Sequence, residues 1–375
     1  MSQLVKLHYQ KGVAPIRPEQ SLIGAALTES QFDAVTRRMA PEAWEQAWDA
    51  LKYQSASYAL SMTEYQQAYL RGAGSAIEDA SLVLLNGGTS IGVWPLTLGR
   101  ASEPRLTGAD AAILAPAFIA NTSPGVVKRA VSRALAFTRS LNRHLGVDAC
   151  LCEQETWPAS IGDGASEWHQ QLLAAGATVT VKHDLYVDLG PSMHGIRANF
   201  RKSYKPLINA GLREWTVFVM DKSGLAESIW AEFKQLHREV AGRTTRVDET
   251  WAMQFDMIET DQAFFVGLRD RASGRLVGGG FFQYTRDEGV YSVGAYDRSL
   301  FHKPLGHVVQ QRAIEWMKSR GLRWYRVGRR SYSQDAPSPS EKEIGIATFK
   351  QGFASHMFCR YEFRLPINHA HLAQD

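Results

Sequence analysis

Between residues 302 and 330 the hydrophobic positions change from a helical to a strand-like spacing. One set of residues recurs every three or four positions as an apolar stripe, and polar residues fall on the opposite side: Val309, Ala313, Trp316 and Met317 against Gln311, Arg312, Glu315 and Lys318. Gly321 then offers the left-handed conformation that ends many helices. Residues 322–327 alternate as a strand does. The pattern predicts a helix, a glycine stop and a buried strand.

The start of this helix follows the turn Pro304-Leu305-Gly306. The first amides of a helix have no intrahelical partner, and the helix dipole makes that end attractive to an anion such as a phosphate. The sequence therefore predicts an anion-binding loop at Gly306. The alternative is that Gly306 only permits the turn.

The same order of elements occurs twice in the chain. Strand, turn, strand, a further strand, helix, glycine and strand are predicted in residues 81–155 and again in residues 263–330. Gly190-Pro191 is the predicted break between the copies. We expect an α+β protein of two domains, 1–190 and 191–375, each a mostly antiparallel sheet flanked by helices. Chance recurrence of common elements is the alternative.

Composition narrows the class of protein. The chain has 375 residues, 45% of them hydrophobic, with a formal net charge of +4 and a pI of about 8.9. This mild basic excess fits an anionic ligand but is weaker than that of a dedicated nucleic-acid binder. Three cysteines form neither a disulfide framework nor a clear zinc signature, so no metal is expected. "MSQLVKLHYQKG" carries no signal-peptide pattern, and no apolar run would span a bilayer. We expect a soluble cytoplasmic protein.

Two segments of the second half carry a family resemblance. "PLGHVVQQRAIEWMKSRGLRWYRVG" and "EIGIATFKQGF" resemble the helix-glycine-strand segment and the Phe-Lys-x-Gly-Phe block of the FemAB family. The resemblance implies two tandem acyltransferase domains of the GNAT fold, with most of the active site in the C-terminal one. It also implies amide formation, in which an amine attacks an acyl group carried on coenzyme A or on a transfer RNA. His307 departs from the coenzyme A-binding members, which have a small residue there.

Three residues are the candidates for catalysis. Lys350, the lysine of the Phe-Lys-x-Gly-Phe block, would stabilise the oxyanion or the leaving group. Ser340 and Glu343 form a capping box that predicts a helix ending near Lys350, so its charge could instead favour the helix C-terminus. Tyr296 and Asp297, just before the anion loop, would transfer protons. The alternative for this pair is a turn with a satisfied hydroxyl.

The donor-binding candidates are Gly306, His307, Gly279 and Gly280. "VGGGFF" places three glycines inside a strand, where they indicate a bulge or a close backbone approach. A splayed strand would expose an N–H group to the acyl carbonyl. Packing of the glycines against an aromatic neighbour is the alternative.

The substrate-binding candidates are four arginines and Phe349. Arg243 and Arg246 lie in the predicted loop "GRTTR", and Arg329 and Arg330 end the strand that follows the anion-loop helix. Guanidinium groups there could bind phosphate or carboxylate in bidentate fashion. Solvated surface charge is the alternative for each of them. The loop Ser331–Ser340 could cover the site or simply connect two elements.

The resemblance implies an N-acyltransferase, and analogy with the family gives as its acceptor an amine of a cell-envelope or surface-glycan precursor, such as a nucleotide-activated amino sugar in polysaccharide biosynthesis. The first interpretation is transfer of groups other than aminoacyl groups. One alternative is an aminoacyl-tRNA-dependent aminoacyltransferase of peptidoglycan bridges, for which transfer RNA is a partner. Another is a non-catalytic module that binds an anionic glycan or nucleotide.

Overall fold

A computed structural model describes residues 21–99, 104–108, 112–157 and 164–367. The N-terminal stretch considered for a signal sequence lies outside these residues. The helices in them are α1 Leu22–Ser30, α2 Pro41–Asp49, α3 Leu60–Gly72, α4 Pro124–His144, α5 Glu167–Ala174, α6 Met193–Asn199, α7 Tyr204–Glu214, α8 Glu227–Ala241, α9 Asp248–Glu259, α10 Gly306–Ser319 and α11 Glu341–Gln351. None of these helices is both long and apolar enough to cross a membrane.

The strands form one large sheet and two small ones. They are β1 Ala34–Thr36, β2 Ile77–Asp79, β3 Leu82–Asn86, β4 Thr89–Trp94, β5 Thr97–Gly99, β6 Arg105–Thr107, β7 Ile113–Leu114, β8 Ala117–Phe118, β9 Ala149–Glu155, β10 Thr178–Asp188, β11 Trp215–Met220, β12 Ala263–Asp270, β13 Leu276–Tyr284, β14 Glu288–Tyr296, β15 Trp324–Arg330 and β16 His356–Pro366. The large sheet has nine strands in the order β11-β12-β13-β14-β15-β10-β16-β9-β7. The small sheets are β1-β3-β4-β8 and β2-β5-β6.

The local signals of the sequence are confirmed. Gly87 and Gly88 have φ values of 60° and 80° in the turn between β3 and β4, which is the conformation that a two-residue hairpin turn requires. Gly321 has a φ of 81° just after α10. Ser340 and Glu343 form both hydrogen bonds of a capping box at the start of α11.

The large sheet continues across the predicted boundary at Gly190-Pro191. β10, which precedes this boundary, lies between β15 and β16 of the second half. The last strand, β16, pairs with β9 of the first half. The two halves therefore share one sheet, and a division of the chain at residue 190 stays a prediction.

The second half of the sheet is covered on both faces by helices. Phe264, Val266 and Phe282 point toward α10 and form one core with Val309 and Ile314. Residues of the opposite parity, such as Phe265 and Phe281, form another core with Trp230 and Phe233 of α8. We refer to these two sides of the sheet as the α10 face and the α8 face.

One strand pair in this region is parallel. β14 and β15 are paired only from Glu288 opposite Trp324 to Val290 opposite Arg326, three residue pairs in all. β14 continues to Tyr296 and β15 to Arg330 without further pairing between them. The two strands therefore diverge and leave a wedge-shaped opening, which we call the notch.

Candidate active site in the notch between β14 and β15

The side chain of Lys350 reaches into the notch from the α10 face. Its Nζ lies 5.5 Å from the centre of the Tyr291 ring, on β14, and against the α-carbon region of Gly328, on β15. None of the residues that the structure describes makes a hydrogen bond or ion pair with this ammonium group. Burial lowers the pKa of Lys350, and the nearby carboxylate of Asp184 opposes this only in part. The notch therefore contains a partly desolvated cation that has no paired anion.

Two local features of the sequence place Lys350 there. The capping box fixes the start of α11, so that Lys350 falls in its last turn with Phe349 packed on the α10 face. Gly328 has a φ of 137° at a register shift between β10 and β15. A β-carbon on residue 328 would overlap Nζ and lie 3.2 Å from Cδ of Lys350. The glycine thus makes room for the lysine.

The N-terminus of α10 lies beside this arrangement and is partly covered. Leu305 is the N-cap residue and supplies no side-chain hydrogen bond, so no side chain caps the amides of Gly306 and His307. The ring of Phe349 comes within 3.0 Å of the position that a β-carbon on Gly306 would take. His307 packs edge-on against Tyr204 and Phe349, and burial lowers its pKa to about 4. An anion at Gly306 would therefore lie beside an aromatic ring and a neutral imidazole.

Tyr296 and Asp297 have different surroundings. The Tyr296 hydroxyl is 3.2 Å from that of Tyr291, in the notch, and burial raises its pKa well above the usual range. Asp297 caps a short 3-10 turn, where it accepts hydrogen bonds from Ser299 and pairs with Arg275 at 2.6 Å. These bonds, that of Ser299 foremost, lower the pKa of Asp297. Tyr296 is thus part of the notch, whereas the Asp297 carboxylate is occupied by its own turn.

Gly279 and Gly280 lie inside β13, which is paired on both sides at these positions. A β-carbon on Gly279 would overlap the Phe265 ring, and one on Gly280 would lie 2.9 Å from the Phe282 ring. This geometry favours the packing explanation for both glycines. β13 has a register shift against β12 at Val277, just before the three glycines, and β14 has one against β13 at Ser292.

The four candidate arginines do not converge. Arg329 lines a cavity on the α8 face and lies 3.7 Å from Glu153. Arg246 stacks on Trp251 and donates a 2.7 Å hydrogen bond to the Tyr65 hydroxyl, which lines the same cavity. Arg243 is exposed in the loop after α8, and Arg330 binds the Ser331 carbonyl and stacks on Tyr332.

The cavity on the α8 face has a volume of about 330 Å³ and lies between α3 and the large sheet. Its lining residues are Ser57, Met62, Tyr65, Gln66, Leu114, Glu153, Asp184, Val290, Tyr291, Arg326, Gly328, Arg329 and Arg360. Tyr291 and Gly328 also surround Lys350. The cavity and the notch therefore have Tyr291 and Gly328 in common as wall residues.

A buried network of charges forms the floor of this cavity. Arg360 binds Glu153, Glu155 and Asp184 at 2.7–2.9 Å. Arg326 donates to Glu155 at 2.9 Å and lies 3.1 Å from Glu288. Guanidinium groups that bind two or three carboxylates are fixed in orientation, so the network determines the shape of the cavity floor.

The network also joins the two halves of the chain. Ser55 and Ser57 donate hydrogen bonds of 3.0 and 2.7 Å to Glu155, and the Tyr53 hydroxyl donates a 2.7 Å hydrogen bond to Glu288. Burial would raise the pKa of Glu155, but Arg360 and Arg326 outweigh it and lower the value to about 2. Burial raises the pKa of Glu288 to about 7 despite Arg326. The pKa values of these two carboxylates thus differ strongly, although Arg326 contacts both groups.

The sequence motifs did not single out these residues. Their signal in the sequence is a charged residue inside an otherwise apolar strand: Glu153 and Glu155 in "CLCEQE", Arg326 in "WYRVG" and Arg360 in "CRYEF". Such residues are buried only when paired. The partners of these residues lie on other strands, and the strand order decides which ones. No local sequence pattern indicates the strand order.

Among the solved structures that have a similar fold are the following three. FemX matches with a TM-score of 0.64 at 13% identity, over 89% of this chain and 96% of its own. The C-terminal domain of a putative lysylphosphatidylglycerol synthetase from Agrobacterium fabrum matches with a TM-score of 0.53 at 12% identity, over 87% of this chain and 92% of its own. A tandem GNAT protein from the clavulanic acid biosynthesis pathway matches with a TM-score of 0.50 at 14% identity, over 91% of this chain and 99% of its own.

The fold is that of FemAB-like tandem GNAT proteins. It is the α+β arrangement of two GNAT-like units that the family resemblance implied. No protein-family model matches the chain, and no curated protein sequence matches it. At 11–14% identity the similarity describes the architecture, so an activity has to be argued from the notch itself.

Proposed function

We propose that this protein is an acyltransferase that forms an amide, with the reacting carbonyl held in the notch between β14 and β15. The observation that carries the proposal is the Lys350 ammonium group, which lies in an opening between two strands without a paired anion. A cation in such a place is expected to stabilise negative charge that develops there during a reaction.

The chemistry of amide formation matches these groups. The amine nitrogen adds to the acyl carbon, and the carbonyl oxygen becomes an oxyanion near Lys350. The bond from that carbon to the sulfur or oxygen of the donor then breaks, and the proton lost by the nitrogen leaves with that atom. A neighbouring Tyr296 hydroxyl, whose pKa is raised by burial, remains protonated and can donate a hydrogen bond.

The donor is either an acyl-coenzyme A thioester or an aminoacyl-tRNA ester. Both place a negative phosphate within reach of a reacting carbonyl, and the uncapped start of α10 at Gly306, beside Phe349 and Tyr296, can bind an anion. The preference for groups other than aminoacyl groups is not retained, because one protein of similar fold is named a lysylphosphatidylglycerol synthetase. A residue smaller than His307 would leave more room for a phosphate. Because both donors carry a phosphate, this position does not distinguish between them.

For the acceptor we propose an amine of a cell-envelope or surface-glycan precursor, such as an amino-sugar nucleotide or a peptidoglycan precursor. The support is the similarity of fold to FemX and to the synthetase domain. Arg329 and the Tyr65–Arg246 pair lie at the cavity on the α8 face, where they can bind an anionic part of the acceptor.

The test is to incubate the protein with acyl-coenzyme A or charged tRNA and a panel of amino-sugar nucleotides and peptidoglycan precursors, followed by mass spectrometry. An amide product supports the proposal. Binding of these compounds without product formation would favour a non-catalytic binding module. The dependence of donor binding on salt separates the donors, because tRNA contacts many phosphates and its binding falls steeply with salt.

A further inference from the structure

The geometry points to the cavity on the α8 face as the site where the acceptor binds as an ammonium ion, with Asp184 as the residue that holds it. This inference rests on the proposed function, since it assigns the cavity to the amine of that reaction. The donor and acceptor would then approach the notch from opposite faces of the sheet.

The position of Asp184 connects the cavity with the notch. Asp184 lies on β10 directly opposite Arg329 of β15, one residue from Gly328. Its side chain is only 6% exposed and lines the cavity. The charge of Asp184 also acts on Lys350 in the notch. An amine bound to Asp184 would therefore lie next to the proposed position of the acyl carbon, and it could add to that carbon after passing its extra proton to the Asp184 carboxylate.

Asp184 uses only one of its two oxygens. Oδ2 accepts a 2.9 Å hydrogen bond from Nε of Arg360 and lies 2.7 Å from its Nη2. Oδ1 accepts no hydrogen bond from any residue that the structure describes. Oδ1 is not one of the fully buried oxygens that lack a donor, so it keeps some accessible surface in a side chain that lines the cavity. An ammonium group, with three N–H donors, would satisfy it.

The charged groups that line the cavity have both signs. Glu153 and Asp184 line it together with Arg326, Arg329 and Arg360. Arg326 and Arg360 are already paired with carboxylates at 2.7–3.1 Å, so that Oδ1 of Asp184 remains as a negative group to which an ammonium ion can bind. Arg329 lies at the rim, with 47% of its side chain exposed, so solvent screens its charge.

The size of the cavity limits what enters it. A volume of about 330 Å³ is at the lower end of ligand pockets. Met62, Leu114 and Val290 supply apolar contact beside the carboxylate. The cavity thus fits a small primary amine, or the amine-bearing end of a larger acceptor.

Binding of a simple amine tests the inference without any acyl transfer. We would measure saturation-transfer difference NMR of n-butylammonium and n-butanol with the full chain at neutral pH. Saturation of the amine but not of the alcohol is expected. Asp184→Asn should reduce amine binding roughly tenfold or more, because it removes a charge-assisted hydrogen bond. Asp49→Asn, which changes an exposed carboxylate elsewhere, should leave amine binding unchanged.

Gln66→Trp is a second variant, which fills the cavity from α3 without changing the Arg360 network. It should abolish amine binding even if Asp184→Asn fails to fold. Equal saturation of amine and alcohol, no saturation of the amine, or an undiminished signal in both variants would overturn the inference. Amine binding that depends on Asp184, without any amide product in the incubations above, would overturn the proposed function and leave this binding site standing.

Discussion

Lys350 occupies the space that a side chain at residue 328 would need. Gly328 has a φ of 137°, and an added β-carbon would overlap the Lys350 ammonium group. Gly328 of β15 thus leaves the space that Lys350 of α11 fills, near the point where β14 and β15 separate. This relationship makes the position of the cation testable by a change that leaves the lysine itself in place.

Gly328→Ala is expected to displace the Lys350 ammonium group. The unfavourable φ should cost about 1–3 kcal/mol of unfolding free energy. A shift of the cation by about 1 Å should reduce turnover in the proposed reaction by about 10²-fold. Urea unfolding and initial rates measure the two effects. Gly345→Ala in α11, where a β-carbon meets nothing within 4 Å, is the control that should keep both activity and stability.

Lys350→Met should make the protein more stable while removing the cation. Burial lowers the pKa of Lys350 in the folded state below its unfolded value of 10.5, so the charged form is disfavoured by folding. This penalty is complete below the folded pKa and disappears as pH rises toward the unfolded value. The stability advantage of Lys350→Met over the wild type should therefore shrink between about pH 7 and about pH 10. An advantage that stays constant over this range would show that the lysine is not buried as described.

Glu288 should make the wild-type protein less stable as pH rises through neutrality. Its pKa is about 7 in the folded state and 4.5 in the unfolded chain, so the folded state binds an extra proton between these pH values. Stability is lost as pH rises through this window, by roughly 3 kcal/mol in total. Glu288→Gln removes this dependence, which urea unfolding at about pH 5 and about pH 8 measures. Glu45→Gln, at an exposed position, should behave as the wild type does.

Gly279→Ala separates the packing explanation from a role in donor binding. The added β-carbon would overlap the Phe265 ring and lie 2.9 Å from the Val266 carbonyl oxygen. Overpacking should cost about 1–3 kcal/mol, with turnover per folded molecule unchanged. Gly224→Ala, which meets no neighbour, should be neutral. Reduced turnover at unchanged stability would instead support a contact between Gly279 and the donor.

The parts of the fold that local sequence signals determine were predictable. Glycines with positive φ, such as Gly321, and the capping box of Ser340 and Glu343 depend only on nearby residues. They gave the hairpins, the ends of α10 and the start of α11. The position of Lys350 in the last turn of a capped helix was predictable in the same way, whereas its candidate role came from the resemblance of the Phe-Lys-x-Gly-Phe block.

The long-range arrangement was not predictable from these signals. β10 and β16 pair across the two halves, and this strand order brings Asp184, Arg326 and Arg360 together. No residue near Arg360 in the sequence indicates that Glu153 is its partner. For the same reason the predicted convergence of Arg243, Arg246, Arg329 and Arg330 depended on an assumed sheet edge, and only Arg329 lines the cavity directly.

The most direct test of the account is the rate of amide formation by Lys350→Met compared with Lys342→Met, once a donor and acceptor pair gives product. Lys342 is an exposed lysine on the same helix, so its replacement controls for loss of positive charge. We expect Lys350→Met to reduce kcat by about 10²–10³-fold and Lys342→Met to leave it unchanged. Near-full turnover by a folded Lys350→Met variant would show that the notch cation does not stabilise the reaction.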